Sequence, residues 1–169
     1  MIESAKRQNT VSYAVSILLL AIAVLSVVFI MLDIGEKRIW QFTGVLSFVF
    51  LVQFSSRYLM TRYEYSLTPS DELHAANQLV VVKITGKKRC VVCNVSLYNA
   101  EYAISVSSRK EYIKKYKKSV YAEKCPRYDF CIDLFPDKFC ILKLKSEYGT
   151  CFVMLECSDA FLAEMKSRI

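Results

Sequence analysis

Hydrophobic and polar positions divide the chain into two unlike parts near residue 60. In the first, Val11 to Leu32 runs for 22 residues without a charge, VSYAVSILLLAIAVLSVVFIML. A helix rising about 1.5 Å per residue makes this roughly 33 Å, enough to cross a hydrocarbon core of about 30 Å. Asp33-Ile-Gly-Glu-Lys-Arg38 forms a polar turn, and Ile39 to Ser56 is a second apolar run, extendable to Met60. The pattern predicts an N-terminal segment 1–10, a transmembrane helix 11–32, a short external loop 33–38 and a second transmembrane helix 39–60. A signal peptide would have a shorter apolar region and would not be followed at once by a second span. Trp40 and Tyr58 fall where interfacial anchors belong. Gln53 lies deeper and is expected to bond across to Ser16 or another polar group on the first helix. Neither span carries a buried charge, so the pair reads as an anchor and not as a transport path.

After residue 61 the pattern becomes that of strands and turns. Arg62 to Leu67 alternates, Thr68 to Asp71 reads as a turn, and Leu73 to Thr85 contains a strand centred on Leu79-Val-Val-Val-Lys-Ile84. Gly86-Lys87-Lys88 is a hairpin turn into Arg89-Cys-Val-Val-Cys-Asn-Val95, and a shorter strand is expected at Tyr102 to Ser107. Further strands are expected at Tyr128 to Phe135, Phe139 to Lys145 and Cys151 to Cys157. Ser158 or Asp159 then caps a helix with Phe161, Leu162, Met165 and Ile169 on its apolar face. About seven strands closed by one amphipathic helix predict a small, strongly bent sheet or partly open barrel over residues 61–169.

Charge and cysteines refine this picture. The formal charge is +7, and from Arg57 onward 19 Lys or Arg face 13 Asp or Glu, so the excess belongs mainly to the β domain. Lys6, Arg7, Arg57 and Arg62 flank the spans on one side and Lys37 and Arg38 on the other, which places both termini in the cytoplasm of a multi-pass cell-membrane protein. All seven cysteines lie in the β domain, an odd count sitting in apolar runs, and they read as reduced, buried thiols. Cys90-Val-Val-Cys93 has CxxC spacing, but an extended segment is expected to turn the two thiols to opposite faces. With no second CxxC, one histidine (His74), no glycine-rich phosphate loop and scattered carboxylates apart from Asp71-Glu72, neither a metal, a cofactor nor a catalytic constellation is expected.

The order of elements resembles a known family. Two spans followed by Tyr63-Glu-Tyr65, Val82-Lys-Ile-Thr-Gly-Lys-Lys-Arg89 and Cys131-Ile-Asp-Leu-Phe-Pro136 are similar to a family of uncharacterised small bacterial membrane proteins with a C-terminal pleckstrin-homology-like domain. The resemblance implies seven strands in two near-orthogonal sheets with a capping C-terminal helix. It implies no catalytic residue and no ligand.

Two basic clusters are the candidate site: Lys87, Lys88 and Arg89 in the hairpin, and Arg109, Lys110, Lys114, Lys115, Lys117 and Lys118 farther on. If the first four strands run up and down from the membrane, both clusters return to the same leaflet. Juxtamembrane bases near anionic lipid contribute about 1 kcal/mol each within a Debye length of about 8 Å. Tyr112, Ile113 and Tyr116 interleave the second cluster and would dip into the interface from a helix. The expected function is a non-enzymatic, membrane-anchored module contacting anionic lipid head groups or a membrane protein partner. The alternatives are a subunit or scaffold that binds a peptide or subunit through a sheet edge, and a membrane-surface enzyme. Nucleic acid ranks behind lipid as a polyanion, because the bases form a short run beside a membrane anchor.

Overall fold

The computed structural model describes residues 1–5, 10–68, 77–107, 111–116, 125–146 and 149–169. It forms two compact units, one of Thr10–Thr61 and one that combines Met1–Asn9 with Arg62–Ile169.

The first unit is a helical hairpin, α1 (Val11–Met31) and α2 (Lys37–Tyr58). Both helices are long and apolar enough to cross a membrane, and most of their large side chains are exposed. A Cβ on Gly44 would meet the Ser26 Cβ at 3.2 Å, so the helices approach closely at small residues. Ser26 and Ser16 satisfy their hydroxyls within their own helix, on Ile22 O at 2.8 Å and Ser12 O at 3.0 Å. The expected Gln53–Ser16 bond is therefore not made: Gln53 is exposed, and the short serine side chain reaches the carbonyl one turn back more easily. In the connecting turn, Asp33 and Gly35 take positive φ, and Trp40 Nε1 donates to Ile34 O at 2.8 Å.

Among the described residues, the second unit contains two four-stranded sheets. The first, in spatial order, is β1 (Ile2–Ser4), β2 (Thr61–Leu67), β3 (Gln78–Thr85) and β4 (Lys88–Ser96). The second is β5 (Ala100–Val106), β7 (Phe139–Ser146), β8 (Gly149–Leu155) and β6 (Arg127–Asp129), with β6 parallel to β8. The two sheets and the C-terminal helix α3 (Asp159–Ser167) share one core. It is built from Tyr63 and Tyr65 on β2, Leu79 and Val81 on β3, Leu142 and Leu144 on β7, Val153 and Leu155 on β8, and Phe161 and Met165 on α3. The alternation of β2, with Tyr63, Tyr65 and Leu67 buried and Arg62, Glu64 and Ser66 outward, is the period-two pattern of a sheet covered on one side. Ser158 caps α3, its Oγ accepting from Phe161 N at 3.2 Å, and Ile169 lies outside the buried face because the helix ends at Ser167.

Several expectations need correction. The N-terminal segment is part of the β unit: β1 pairs antiparallel with β2, Glu3 opposite Tyr65. The strand expected at Tyr128 to Phe135 stops at Asp129, whose Oδ1 accepts from Cys131 N at 2.9 Å and bends the chain before Pro136. β8 starts at Gly149, two residues before the expected Cys151, and ends at Leu155 rather than Cys157. A bulge between Val81 and Val82 leaves one extra residue on β4, so Cys90 and Cys93 pair with Lys83 and Val81. The extra residue cancels the alternation and returns both cysteines to one face. Finally, β5 belongs to the second sheet, so the meander runs through β2, β3 and β4 only.

Candidate functional site

The first basic cluster sits on the β3–β4 hairpin. Gly86, at φ +60°, forms the turn with Lys87, and Lys87, Lys88 and Arg89 are all exposed. Arg89 forms an ion pair with Glu64 on β2. Val91 and Val92 on β4 are also exposed, so aliphatic side chains accompany the bases along this edge. The position of the turn follows from the pairing. Thr68 N donates to Gln78 O, and Ser66 Oγ donates to Val80 O, which runs β2 and β3 in opposite directions. The Gly86-Lys87 turn therefore lies at the end of the sheet where β2 begins with Arg62. Ala5, whose N donates to Tyr63 O at 2.9 Å, marks the same end for the segment leaving β1. Both connections toward the helical hairpin thus depart from the sheet end that carries Lys87, Lys88 and Arg89.

The second cluster falls only partly within the described residues. A π-helical turn covers Tyr112–Tyr116, in which Ile113 and Lys114 are exposed. Tyr112 is half-buried, and its ring packs edge-on against Phe139 with centroids 5.4 Å apart, joining the turn to the second sheet. Arg109, Lys110, Lys117 and Lys118 lie outside the described residues, as do His74, Asp71 and Glu72, and for Lys115 only the backbone is described. Sheet pairing carries the up-and-down alternation to the first cluster but not to the second, because β5 pairs with β7.

A different region holds the most unusual chemistry. A cavity of about 750 Å³ opens beside β1, lined by residues 1–4, Lys138 and residues 156–159. Glu3 closes one wall: its carboxylate accepts from Ser158 N and Ser158 Oγ, both at 2.8 Å, linking β1 to the start of α3. Glu156, which follows β8, is buried, with Oε2 accepting from Ile132 N at 2.6 Å and from Asp133 N at 3.4 Å. Its other oxygen, Oε1, is buried without a partner among the described residues. Burial pushes the Glu156 carboxyl up to about 7, helped by the Asp133 and Asp129 carboxylates and opposed by the two backbone N–H groups. Tyr65 completes the arrangement: its hydroxyl donates to Phe130 O at 2.9 Å and accepts from Glu156 N at 3.2 Å, and burial raises its pKa.

Glu156 does not stand out in the sequence, because it belongs to no pair of carboxylates. The signal was a single acid inside the apolar run Cys151-Phe-Val-Met-Leu-Glu-Cys157, where a strand would otherwise be entirely uncharged. The cysteines are free, and burial raises Cys93 to about 11 and Cys151 in the same direction, which keeps these thiols protonated. Among the described residues, no group of three or more His, Cys, Asp or Glu could hold a metal ion.

Two helices able to span a membrane, followed by a mainly-β domain of two sheets and a C-terminal helix, define the architecture. No protein-family model, curated protein or solved structure matches the chain.

Proposed function

We propose that the chain is a non-enzymatic module anchored in the cell membrane by its two helices, with both termini cytoplasmic and a pleckstrin-homology-like β domain that contacts anionic lipid of the inner leaflet. The membrane reading is supported by the exposed apolar surface of the hairpin; a core helix of a soluble protein would bury that surface. The domain reading is supported by the seven strands found among the described residues after the second helix, divided between two sheets and followed by α3.

One observation carries the lipid reading: Lys87, Lys88 and Arg89 occupy the sheet end from which both connections to the spans depart. Arg62 adds a fourth exposed base at that end. Four bases at about 1 kcal/mol each set a ceiling of about 4 kcal/mol, lowered by the engagement of Arg89 with Glu64. Because the helices already provide localisation, an attraction of this size sets how the domain rests on the leaflet. The exposed Val91 and Val92 give the hairpin an apolar component suited to the headgroup boundary.

Hydrogen exchange on the full chain in nanodiscs tests this reading. In phosphatidylcholine with phosphatidylserine, amides around Gly86 to Val92 should exchange more slowly than in phosphatidylcholine alone, and added salt should erase the difference. Lys87→Glu with Lys88→Glu should erase it as well. Equal exchange in the two lipid mixtures would remove the role assigned to the hairpin.

A further inference from the structure

We propose that the cavity beside β1 is a binding groove for an extended, lysine- or arginine-bearing segment of a partner polypeptide, which adds a strand to the open edge of β1 and sets its cation against Glu156. This inference is independent of the lipid reading, since it concerns the opposite edge of the first sheet.

The main chain supplies the first argument. Leu67 N donates to Met1 O, Met1 N donates to Leu67 O, and Ala5 N donates to Tyr63 O. In an antiparallel ladder these are the hydrogen-bonded positions, with Glu3 opposite Tyr65 the next of the series. The N–H and C=O groups of Ile2 and Ser4 therefore turn away from β2, and they have no partner among the described residues. Both residues line the cavity. An unpaired strand edge beside an open groove is the feature that peptide-binding sheets use to capture an extended segment. The volume of about 750 Å³ lies within the usual range for ligand sites.

The second argument is electrostatic and independent of the first. Glu156 lines the same cavity and buries an oxygen with no partner, a costly arrangement that an incoming cation or N–H donor would relieve. The lining carries three carboxylates, Glu3, Glu156 and Asp159, against two ammonium groups, the Lys138 side chain and the Met1 N-terminus, the latter already held on Leu67 O. The unpartnered oxygen of Glu156, rather than the balance of charge around it, selects a basic occupant. A small amine would satisfy Glu156 but leave the β1 edge open; an extended segment with a basic side chain satisfies both.

Proton balance gives the groove a pH signature. The groups facing Glu156 are the Asp133 and Asp129 carboxylates, the Ile132 and Asp133 amides and the Tyr65 hydroxyl, with Cys157 and Lys138 in the cavity wall. With its carboxyl held near 7, Glu156 is partly protonated at neutral pH, and docking a cation expels that proton to solvent. Affinity for a basic segment should therefore rise from about pH 6 to about pH 8.

The test uses the full chain in uncharged detergent and a fluorescent, end-blocked hexapeptide of alternating lysine and valine, with binding read by anisotropy. The lysine peptide should bind about tenfold or more tightly than its glutamate–valine counterpart. Glu156→Gln should weaken binding by a similar factor and flatten its pH dependence, with thermal unfolding confirming the fold. Ser4→Pro removes an edge donor at a position that does not bond to β2, and it should weaken binding without unfolding the domain. A peptide N-methylated at its valines should fail to bind. Undiminished binding of that peptide, or full displacement by n-butylamine, would overturn the proposal by leaving only an amine pocket. Equal affinity for the lysine and glutamate peptides would overturn it too.

Discussion

The two edges of the first sheet are built from opposite materials. The β4 edge is exposed, basic and aliphatic, and its charges stand in water or pair at the surface, as Arg89 does with Glu64. The β1 edge borders carboxylates: Glu156 is buried on the adjacent amides of Ile132 and Asp133, and Glu3 is bound to Ser158. The difference teaches that charge has two separate uses in this domain. On the β4 side it is cheap to hold and easily screened, suited to a reversible contact. On the β1 side it is expensive to hold and sensitive to protonation, so stability and proton uptake are linked there.

The contrast predicts that substitutions near β1 alter folding and those at β4 do not. The largest effect is expected for Tyr65→Phe, which leaves Phe130 O and Glu156 N buried without their partner. A loss of about 2–4 kcal/mol should appear in thermal or denaturant unfolding of the β domain within the full chain. A loss below about 0.5 kcal/mol would show that these groups find other partners.

Next in size is the pH dependence set by Glu156. Its carboxyl sits at about 7 when folded against an ordinary 4.5, so the folded state holds the proton longer than the unfolded state. The penalty is absent below about 4.5, grows as pH rises and is complete above about 7, reaching about 3 kcal/mol. Glu156→Gln keeps an acceptor for Ile132 N and should flatten this part of the stability profile, leaving the variant more stable than the parent at alkaline pH. Parallel profiles for the two proteins would contradict the account. The smallest effect is expected for Arg89→Ala, at about 1 kcal/mol or less, because its ion pair is exposed. A larger destabilisation would blur the distinction between the edges.

Legibility in the sequence follows the same division. The helical hairpin and the strands β2, β3, β4, β7 and β8 were readable because each carries a sustained periodic pattern or a marked turn such as Gly86-Lys87. β1 was not, since three residues with a glutamate at the centre carry no strand signal, and the sheet recruits them through Tyr65 and Ser158. β6 was overextended because Phe130, Cys131 and Ile132 are apolar, while Asp129 and Pro136 decide the backbone. Of the candidate site, the hairpin bases were visible as composition. The placement of Tyr112 on Phe139, and of Glu156 beside β1, depends on contacts distant in sequence.

The recruitment of β1 also bears on how such a chain acquires its topology. The strand that begins the sheet is synthesised before both helices, and the strand that it pairs with is synthesised after them. A chain that inserted only one helix across a membrane would strand β1 and β2 on opposite faces, and the sheet could not close. For helices that cross a membrane, as proposed above, only an even number of crossings lets Glu3 meet Ser158.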